Sequence, residues 1–524
     1  MKDVSPVYIC LFWNGKRVIE SDLRRFINYF YICSRKISPQ PQGIMEILSN
    51  KSLKTLLFLL AGNVFSFRGV QGQFTSDYSP FVFSSGPPSI MKMDFPEEYK
   101  SCLVLANTLK PEDAKFFCEN LCSEKQNLLQ GGNVYFNDPF SEYVNKVADK
   151  VLAAQSGLRS KLKIYVMRFA TPSAITLPDG SIFINIGLLA ALENESQLAF
   201  VIAHEAAHFE KNHSVKDFKR TADIHAGETN FYNPEGAGMI RLRYSRDAEF
   251  EADARGLEIM QSSPYDPDEC GKALGILDDT LFLLSDMKLQ LQNLLDSEVF
   301  PMDSVAMKKG FSRSASEKVT RVFSESAEDI ESTHPSIEKR INALKEILRM
   351  KREITGEGPV KKEIKTTGDF VNIGTRAKFE IAGNLFTKSS FINSLYLSLY
   401  LNEKYPDNRF VKTLLARNLH WLAFYTEIEK VSEIAEQESF LSANDFGRLS
   451  DFVLAFNHND LKKMVFGFMK KEFEGMKTED DFFIYYAMTS EAYLGKESAK
   501  IVYSLYASKF PSGRYLTYAG RKAE

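Results

Sequence analysis

The chain has 524 residues, which is too long for one compact core, so we expect two or three domains. Hydrophobic residues make up 44% and charged residues 25% of the sequence, which are ordinary values for a folded globular protein. The net charge of -3 gives no bulk electrostatic reason to expect nucleic acid or an anionic membrane surface as a partner.

The most apolar stretch, residues 55–67, has the three-part pattern of a secretory signal peptide. Two lysines precede it, small residues follow it at the spacing of a cleavage site, and it is shorter than the about 20 apolar residues that span a bilayer. Because such signals stand at the start of a chain, we expect residues 1–44 to be an over-extended start. Met45 then begins a signal peptide of residues 45–72, and the mature protein begins near Gln73. The alternative is a membrane-anchoring or buried helix.

Residues 73–134 form a predicted N-terminal segment with weak periodicity and one helical stretch near Glu112–Gln126. Cys118 and Cys122 lie four apart in this stretch, which indicates two thiols packed on one helix face. The sequence contains six cysteines but no CxxC pair, which argues against a thiolate zinc site. Cysteine usage therefore leaves the redox compartment open.

A predicted catalytic domain occupies residues 135–348. Its first helix has Asp138 as the N-cap and Pro139 in the first helical position. Five apolar residues at three-four spacing form the predicted buried face of this helix: Phe140, Tyr143, Val144, Val147 and Val151. Two predicted strands follow at Lys161–Phe169 and Ser181–Ile186, and they lead into a long helix. This order favours an α+β domain.

The remainder of the chain is predicted to be a linker followed by helices. Residues 349–378 are charged and contain Gly and Pro, which is typical of a linker. Residues 379–524 show successive amphipathic helices with short polar turns. Two Lys-aromatic-Pro turns, at 404–406 and 509–511, lie 105 residues apart, close to three tetratricopeptide periods of about 34 residues. We therefore expect a tetratricopeptide-like (TPR-like) α-helical repeat domain, and the alternative is a generic helical bundle.

The strongest chemical signal is the H-E-x-x-H pattern of His204, Glu205 and His208. Asn194 can cap a helix here, and the two histidines lie four apart on it, so both imidazoles can bind one metal ion. Glu205 lies one residue round the helix, where its carboxylate can contact a water molecule rather than the metal. The alternative is a pair of solvated histidines on a helix face.

A catalytic zinc ion needs a third protein ligand and an open position for water. Glu249, which lies 41 residues after His208, can supply that ligand from a second helix. Asp253, one turn further on, can hold the second nitrogen of a ligand imidazole. Glu251 points elsewhere and is expected to be a solvated charge. Three small residues would let this helix approach the first one closely: Ala252, Ala254 and Gly256.

The motifs HEAAH and SRDAEFEADARG together resemble the HtpX and CAAX-prenyl-protease type of gluzincin metallopeptidase. Upstream, LPDGSIFINIGLLAALENESQLAFVIAHE is similar to the strand-turn-helix run before the metal helix of that family. Downstream, the segment from Thr333 to Ile341 is similar to the family's HPxxxxR segment. The resemblance covers roughly residues 135–345 and implies a zincin-type metallopeptidase domain.

By this resemblance, one Zn²⁺ per chain is held by His204, His208 and Glu249, and Glu205 acts as the catalytic base. The implied reaction is the hydrolysis of internal peptide bonds in protein substrates. His334 is a candidate for steadying the oxyanion or covering the site, and a structural role for its turn is equally expected.

Two further expectations concern the surroundings of the metal. We expect the substrate to lie extended beside the Ser181–Ile186 strand, since backbone pairing at a sheet edge tolerates many sequences. His213 lies five residues past His208, so a continuing helix would place it on another face, exposed to solvent. Two rival functions stay open: a binding protein with a vestigial peptidase domain, and a zinc aminopeptidase, although the GAMEN-type exopeptidase signature is absent.

The resemblance also implies a cellular location. The best-known members with this motif are polytopic membrane enzymes, but no other segment of this chain approaches 18 uncharged apolar residues. The chain is more similar to the soluble exported BepA-like branch, in which TPR-like helices follow the peptidase domain. This implies the periplasm or cell envelope, membrane association without spanning, a protein partner at the C-terminal helices, and a role in envelope protein quality control.

Overall fold

The computed structural model describes residues 74–81, 94–224, 246–278, 291–303, 337–355, 366–427, 449, 452–453 and 455–524. These residues belong to one compact unit, Gly69–Glu524. The predicted over-extended start and signal peptide lie outside the described residues, and so does His334.

A four-stranded sheet forms the β part of the fold. Its strands are β1 (Val134–Tyr135), β2 (Lys163–Met167), β3 (Ala174–Thr176) and β4 (Ser181–Asn185). The order across the sheet is β1-β2-β4-β3, with β2 parallel to β4 and each outer strand antiparallel to its neighbour. Both predicted strands are present. β4 lies between β2 and β3, and all of its residues are buried. β3 forms an edge of the sheet.

The helices are numbered here along the described residues. Those of the first half are α1 (Phe95–Leu105), α2 (Pro111–Gln130), α3 (Pro139–Val151), α4 (Ser156–Arg159), α5 (Ile186–Ala191), α6 (Glu195–Glu210), α7 (His213–Ile224), α8 (Arg246–Gln261) and α9 (Cys270–Asp278). Short 3₁₀ helices lie at Ala153–Gln155 and Pro267–Glu269.

In the described residues that follow α9, all of the regular secondary structure is α-helical. Its helices are α10 (Leu291–Leu295), α11 (Ile337–Thr355), α12 (Gly368–Thr387), α13 (Phe391–Lys404), α14 (Arg409–Glu427), α15 (His458–Met476), α16 (Asp480–Leu494), α17 (Lys496–Lys509) and α18 (Leu516–Ala523). None of the helices that the structure describes is long and apolar enough to cross a membrane.

Helix α3 forms where the cap and the apolar spacing predict it. The Asp138 carboxylate accepts hydrogen bonds from the backbone N–H groups of Phe140 and Ser141, at 2.9 and 3.0 Å. All five apolar residues of the predicted face are buried. This face covers β2 and α6, so the packing follows from the three-four spacing.

The turn between β3 and β4 is fixed by two residues. Gly180 has a φ of +83°, and a Cβ there would lie 2.7 Å from the backbone oxygen of Lys161, so only glycine fits without displacement. The Asp179 carboxylate accepts a hydrogen bond from the backbone N–H of Ser181 at 3.0 Å. It also pairs with the buried Lys125 of α2 at 2.6 Å. The turn is thereby anchored to α2.

The cysteine prediction for α2 is half wrong. Cys118 forms a disulfide with Cys102 of α1 rather than packing as a free thiol. Cys122 is a free and buried thiol, as expected from packing. The pairing depends on α1 and α2 lying side by side, which the periodicity of one helix does not indicate.

The predicted linker, residues 349–378, is helical at both of its ends. Helix α11 continues to Thr355 and α12 begins at Gly368, whereas residues 356–365 lie outside the described residues. Helix α12 packs against α5 and α13, and its Phe370 and Ile373 are buried. Composition indicated a linker because charged residues, Gly and Pro are concentrated in residues 349–365.

The two Lys-aromatic-Pro turns have the same local structure. Tyr405 and Phe510 each end a helix, with φ/ψ of -134°/64° and -119°/68°. A residue that precedes proline is displaced from the α region by the proline ring, which explains why α13 and α17 end here. The match between the turns agrees with a repeat, and the TPR-like repeat itself stays a prediction.

Candidate metal centre

Helix α6 begins at the predicted cap. The Asn194 side chain accepts a hydrogen bond from the backbone N–H of Gln197 at 3.1 Å, and the Gln197 side chain accepts one from the backbone N–H of Glu193 at 2.8 Å. Residues 195–208 of this helix are all buried. The cap and the surrounding core therefore hold the H-E-x-x-H segment rigidly.

The three predicted ligand residues converge on one point. The Nε2 atoms of His204 and His208 lie 2.9 Å apart. Glu249 of α8 places Oε2 3.6 Å from the first of these nitrogens and Oε1 4.0 Å from the second. One ligand atom from each residue lies within 4.8 Å of the others, and all three side chains are buried.

The close approach of α8 to α6 depends on a small residue. A Cβ at Gly256 would lie 3.2 Å from the backbone nitrogen of His204 and 3.3 Å from the Phe200 ring. Ala252 is completely buried nearby. Small residues therefore bring Glu249 within reach of the two histidines, as the sequence predicted.

Each ligand imidazole is held at its other nitrogen. Nδ1 of His204 lies 3.0 Å from Asp253 Oδ1, and Nδ1 of His208 lies 2.8 Å from Nδ1 of His213. Burial alone would lower the pKa of His204, but the close contact with Asp253 and the charge of that carboxylate raise it above its ordinary value. Two imidazole nitrogens and a carboxylate, each oriented from behind, form a donor set that fits zinc.

Arg340 of α11 is a site residue to which sequence reasoning assigned no role. Its Nε and one terminal nitrogen each lie 2.7 Å from the Asp253 carboxylate, and its other terminal nitrogen lies 2.9 Å from Glu249 Oε2. The hydrogen bonds from Arg340 and the close contact with His204 outweigh burial and lower the pKa of Asp253. The signal was present, because this arginine ends the HPxxxxR-like segment.

Glu205 is buried beside the ligands and held by the edge strand. The Thr176 hydroxyl of β3 lies 2.6 Å from Glu205 Oε2 and 3.1 Å from the backbone oxygen of the same residue. Burial raises the pKa of Glu205, while the charge of His204 and the hydrogen bond from Thr176 oppose the rise. Sequence reasoning did not single out Thr176, since nothing in the motif points to it.

The expectation that the substrate pairs with the Ser181–Ile186 strand is wrong for this sheet. β4 has β2 on one side and β3 on the other, so its backbone groups are already paired. The edge next to Glu205 belongs to β3. Alternation in the sequence identified both strands, but strand order is a property of the tertiary structure.

The expectation for His213 is also wrong. It is 2% exposed and contacts His208, because it begins the new helix α7 rather than continuing α6. Burial lowers the pKa of His213. Glu251 is exposed as predicted, but it is not isolated: its carboxylate lies 3.2 Å from His213 and 3.1 Å from Lys211.

The described residues therefore bring together five of the six predicted site residues, and the sixth, His334, lies outside them. Two histidines four apart on one helix, a glutamate between them and a carboxylate from a second helix form the arrangement of the H-E-x-x-H metallopeptidases. Residues 141–348 match the sequence profile of peptidase family M48, so this part of the chain is a peptidase family M48 domain.

Three similar proteins are also peptidases by name. The chain is 31% identical over 142 residues to the mitochondrial metalloendopeptidase OMA1 of Schizosaccharomyces pombe, covering 25% of this chain and 41% of that protein. It is 26% identical over 257 residues to the Saccharomyces cerevisiae protein of the same name, covering 47% and 68%. It is 24% identical over 162 residues to the beta-barrel assembly-enhancing protease of Escherichia coli K12, covering 26% and 33%. The chain spans less than half the length of the first and third of these relatives.

Proposed function

We propose that this chain is a zinc-dependent metalloendopeptidase that binds one Zn²⁺ and hydrolyses peptide bonds within protein substrates. The observation that carries the proposal is the convergence of His204, His208 and Glu249 beside a buried Glu205. A vestigial site would be free to lose any one of these four groups, whereas here all four are present and supported from behind.

The chemistry divides between the metal and the protein. His204, His208 and Glu249 would hold the zinc ion. When bound, the ion would supply a Lewis acid that polarises the scissile carbonyl and makes water a better nucleophile at neutral pH. Glu205 accepts a proton from the attacking water and delivers it to the leaving amine. Burial, which raises the pKa of Glu205, favours the uptake of that proton. Thr176 holds the carboxylate in place through the 2.6 Å contact.

We assign the substrate to the edge of β3, the outer strand of the sheet in the described part of the chain. An extended peptide can pair with an edge strand through backbone hydrogen bonds, which gives binding without strong sequence preference. β3 ends at Thr176, whose hydroxyl contacts Glu205, so a peptide on this edge would pass the base. This pairing suits unfolded or partly folded proteins, because folded ones offer few free strands.

We further propose an exported protein of the cell envelope that acts in protein quality control, with the C-terminal helices, as a TPR-like domain, binding a protein partner. The signal-like segment supports export, and the name of the Escherichia coli relative, a beta-barrel assembly-enhancing protease, supports a role in protein quality control. The disulfide between Cys102 and Cys118 supports it as well, since disulfides persist in oxidising compartments.

The activity is tested with Glu205→Gln. We expect the variant to keep one zinc per chain, because the ligands are intact, and to lose hydrolysis of casein, because the base is gone. Zinc is measured by elemental analysis and cleavage by gel electrophoresis. Glu142→Gln, an exposed position on α3, is the matched control and should cleave at the wild-type rate. Casein cleavage by Glu205→Gln would refute the assignment of the base.

A pair of peptide substrates separates the two peptidase classes. We expect an N-acetylated peptide to be cut at internal bonds as readily as the same peptide with a free amino terminus. Cleavage confined to the first residue of the free peptide would instead establish an aminopeptidase.

A further inference from the structure

His213 lies directly behind one of the proposed metal ligands. Its Nδ1 is 2.8 Å from Nδ1 of His208, and its Nε2 is 3.2 Å from Glu251 Oε2. Glu251 in turn lies 3.1 Å from Lys211. His213 is buried, whereas the Glu251 side chain is 43% exposed. The contacts thus lead from the ligand cluster to the surface.

A tight turn between α6 and α7 produces this arrangement. Asn212 has a φ of 56°, the left-handed conformation that asparagine tolerates better than most residues. Its backbone N–H bonds to the Phe209 oxygen at 3.0 Å, and α7 then starts at His213. On a continuing helix, five residues would correspond to a rotation of about 140° away from His208. The turn returns the imidazole to the metal side.

The contacts admit one consistent proton assignment. A neutral imidazole carries one proton, so a ring that binds a metal through Nε2 carries its proton on Nδ1. The Nδ1–H of His208 then donates to Nδ1 of His213, which must accept. His213 therefore keeps its proton on Nε2, and this group donates to the Glu251 carboxylate.

We infer that His213 is a positioning residue for the proposed metal centre: it holds His208 in the tautomer and ring orientation that bind the ion, with Glu251 as its outer support. The inference rests on the proposed function, because it concerns the same ion. The two ligand histidines are then supported differently. Asp253 holds His204 directly, whereas a carboxylate holds His208 through an intervening imidazole.

The test is the zinc dissociation constant, measured by competition with a chromophoric chelator. His213→Leu fills the buried space but cannot accept the Nδ1–H of His208, so we expect about 10- to 100-fold weaker zinc binding. His213→Gln offers an amide oxygen as acceptor, and we expect it to recover most of the lost affinity. The visible spectrum of the cobalt-substituted protein should change in His213→Leu, because the ligand ring is no longer held.

A surface pair extends the test without touching the core. Glu251→Ala should weaken zinc binding by about 2- to 10-fold, less than His213→Leu, since water can partly replace an exposed carboxylate. Glu258→Ala removes an exposed glutamate of the same helix and should bind zinc as the wild type does. Melting temperatures of the metal-free proteins report folding separately.

The outcomes distinguish the inference from the proposed function. A wild-type protein that binds no zinc would overturn the proposed function itself. If the wild type binds zinc and His213→Leu binds it equally tightly, with an unchanged cobalt spectrum, His213 only fills space and the inference is wrong. If His213→Leu does not fold, the Glu251→Ala variant decides. Equal zinc affinity in Glu251→Ala and the wild type would then overturn the inference that Glu251 and His213 support His208.

Discussion

At the residue scale, one guanidinium lies between two buried carboxylates. Arg340 contacts Asp253 with two nitrogens and Glu249 with a third, and all three side chains are at most 6% exposed. Burying a charge is costly unless it is paired. Arg340 therefore allows a proposed metal ligand, Glu249, and the Asp253 carboxylate beside His204 to share one buried site.

The substitution Arg340→Leu tests whether the two buried carboxylates depend on this arginine. We expect Arg340→Leu to lower the free energy of unfolding of the metal-free protein by about 3–5 kcal/mol, because two buried carboxylates lose their partner. Added zinc should restore part of the loss by binding Glu249. Urea denaturation with and without zinc measures both effects.

The control for Arg340→Leu lies on the same helix. Arg352→Leu removes an exposed pair with Asp268 and should change the free energy of unfolding by less than about 1 kcal/mol. Equal stability of Arg340→Leu and wild type without zinc would show that the carboxylates do not need this arginine.

At the element scale, short-range patterns predicted the elements well and their neighbours poorly. Alternation located β2 and β4, and the caps located α3 and α6, because these signals act within a few residues. The position of β3 at the sheet edge and the pairing of α1 with α2 depend on contacts that no local pattern contains. The helical ends of the predicted linker were missed for the same reason.

A buried histidine joins two C-terminal helices. His420 of α14 is 9% exposed, and its Nδ1 lies 2.8 Å from the hydroxyl of Thr489 in α16. Burial lowers the pKa of His420 to about 4. The folded protein therefore keeps this imidazole neutral at pH values where the unfolded chain already binds a proton.

This difference predicts how stability depends on pH. Because the folded pKa is the lower one, the contribution of His420 is complete above about pH 6.5 and is lost as the pH falls towards 4. We expect a loss of at most about 3 kcal/mol over that window. His420→Gln, which cannot take up a proton, should show a smaller loss in urea denaturation at pH 7, 5.5 and 4.5.

A second histidine variant serves as the control for pH. His458 lies at a half-exposed position at the start of α15. His458→Gln therefore controls for the removal of one histidine that is not deeply buried. Parallel pH dependence of wild type and His420→Gln would contradict the role of His420.

At the scale of the whole molecule, Glu380 joins parts that are far apart in the chain. On α12, its Oε1 accepts hydrogen bonds from the Tyr78 hydroxyl at 2.7 Å and from the Phe81 backbone at 2.8 Å. Its Oε2 accepts one from the Tyr135 hydroxyl of β1 at 3.0 Å. Burial raises the pKa of Glu380, against these hydrogen bonds. One side chain thus ties residues 74–81 and the sheet to the C-terminal helices.

Glu380→Gln tests this connection. An amide keeps one acceptor oxygen but presents N–H donors to groups that are themselves donors, so we expect a loss of about 1–3 kcal/mol in the free energy of unfolding. Limited proteolysis should cut residues 74–81 faster than in the wild type. Glu403→Gln, at an exposed position of α13, should leave both measurements unchanged. Protection of residues 74–81 equal to that of the wild type would rule out Glu380 as their anchor.

Features that recur within a single element can be derived from the sequence alone. The shared face of His204 and His208 and the place of Glu205 beside them follow from helical periodicity, which holds as long as the helix continues. Glu249 and Asp253 were also within reach of this reasoning, because their own spacing and the small residues beside them indicate a second helix packed on the first.

The groups around the proposed metal site depend on tertiary packing. A turn at Asn212 interrupts the helical period and brings His213 behind its ligand, so extrapolation along one helix gave the wrong face. Arg340 and Thr176 come from a distant helix and an edge strand. Their contacts are set by how elements pack, and packing is decided by the whole core rather than by the residues next to the motif.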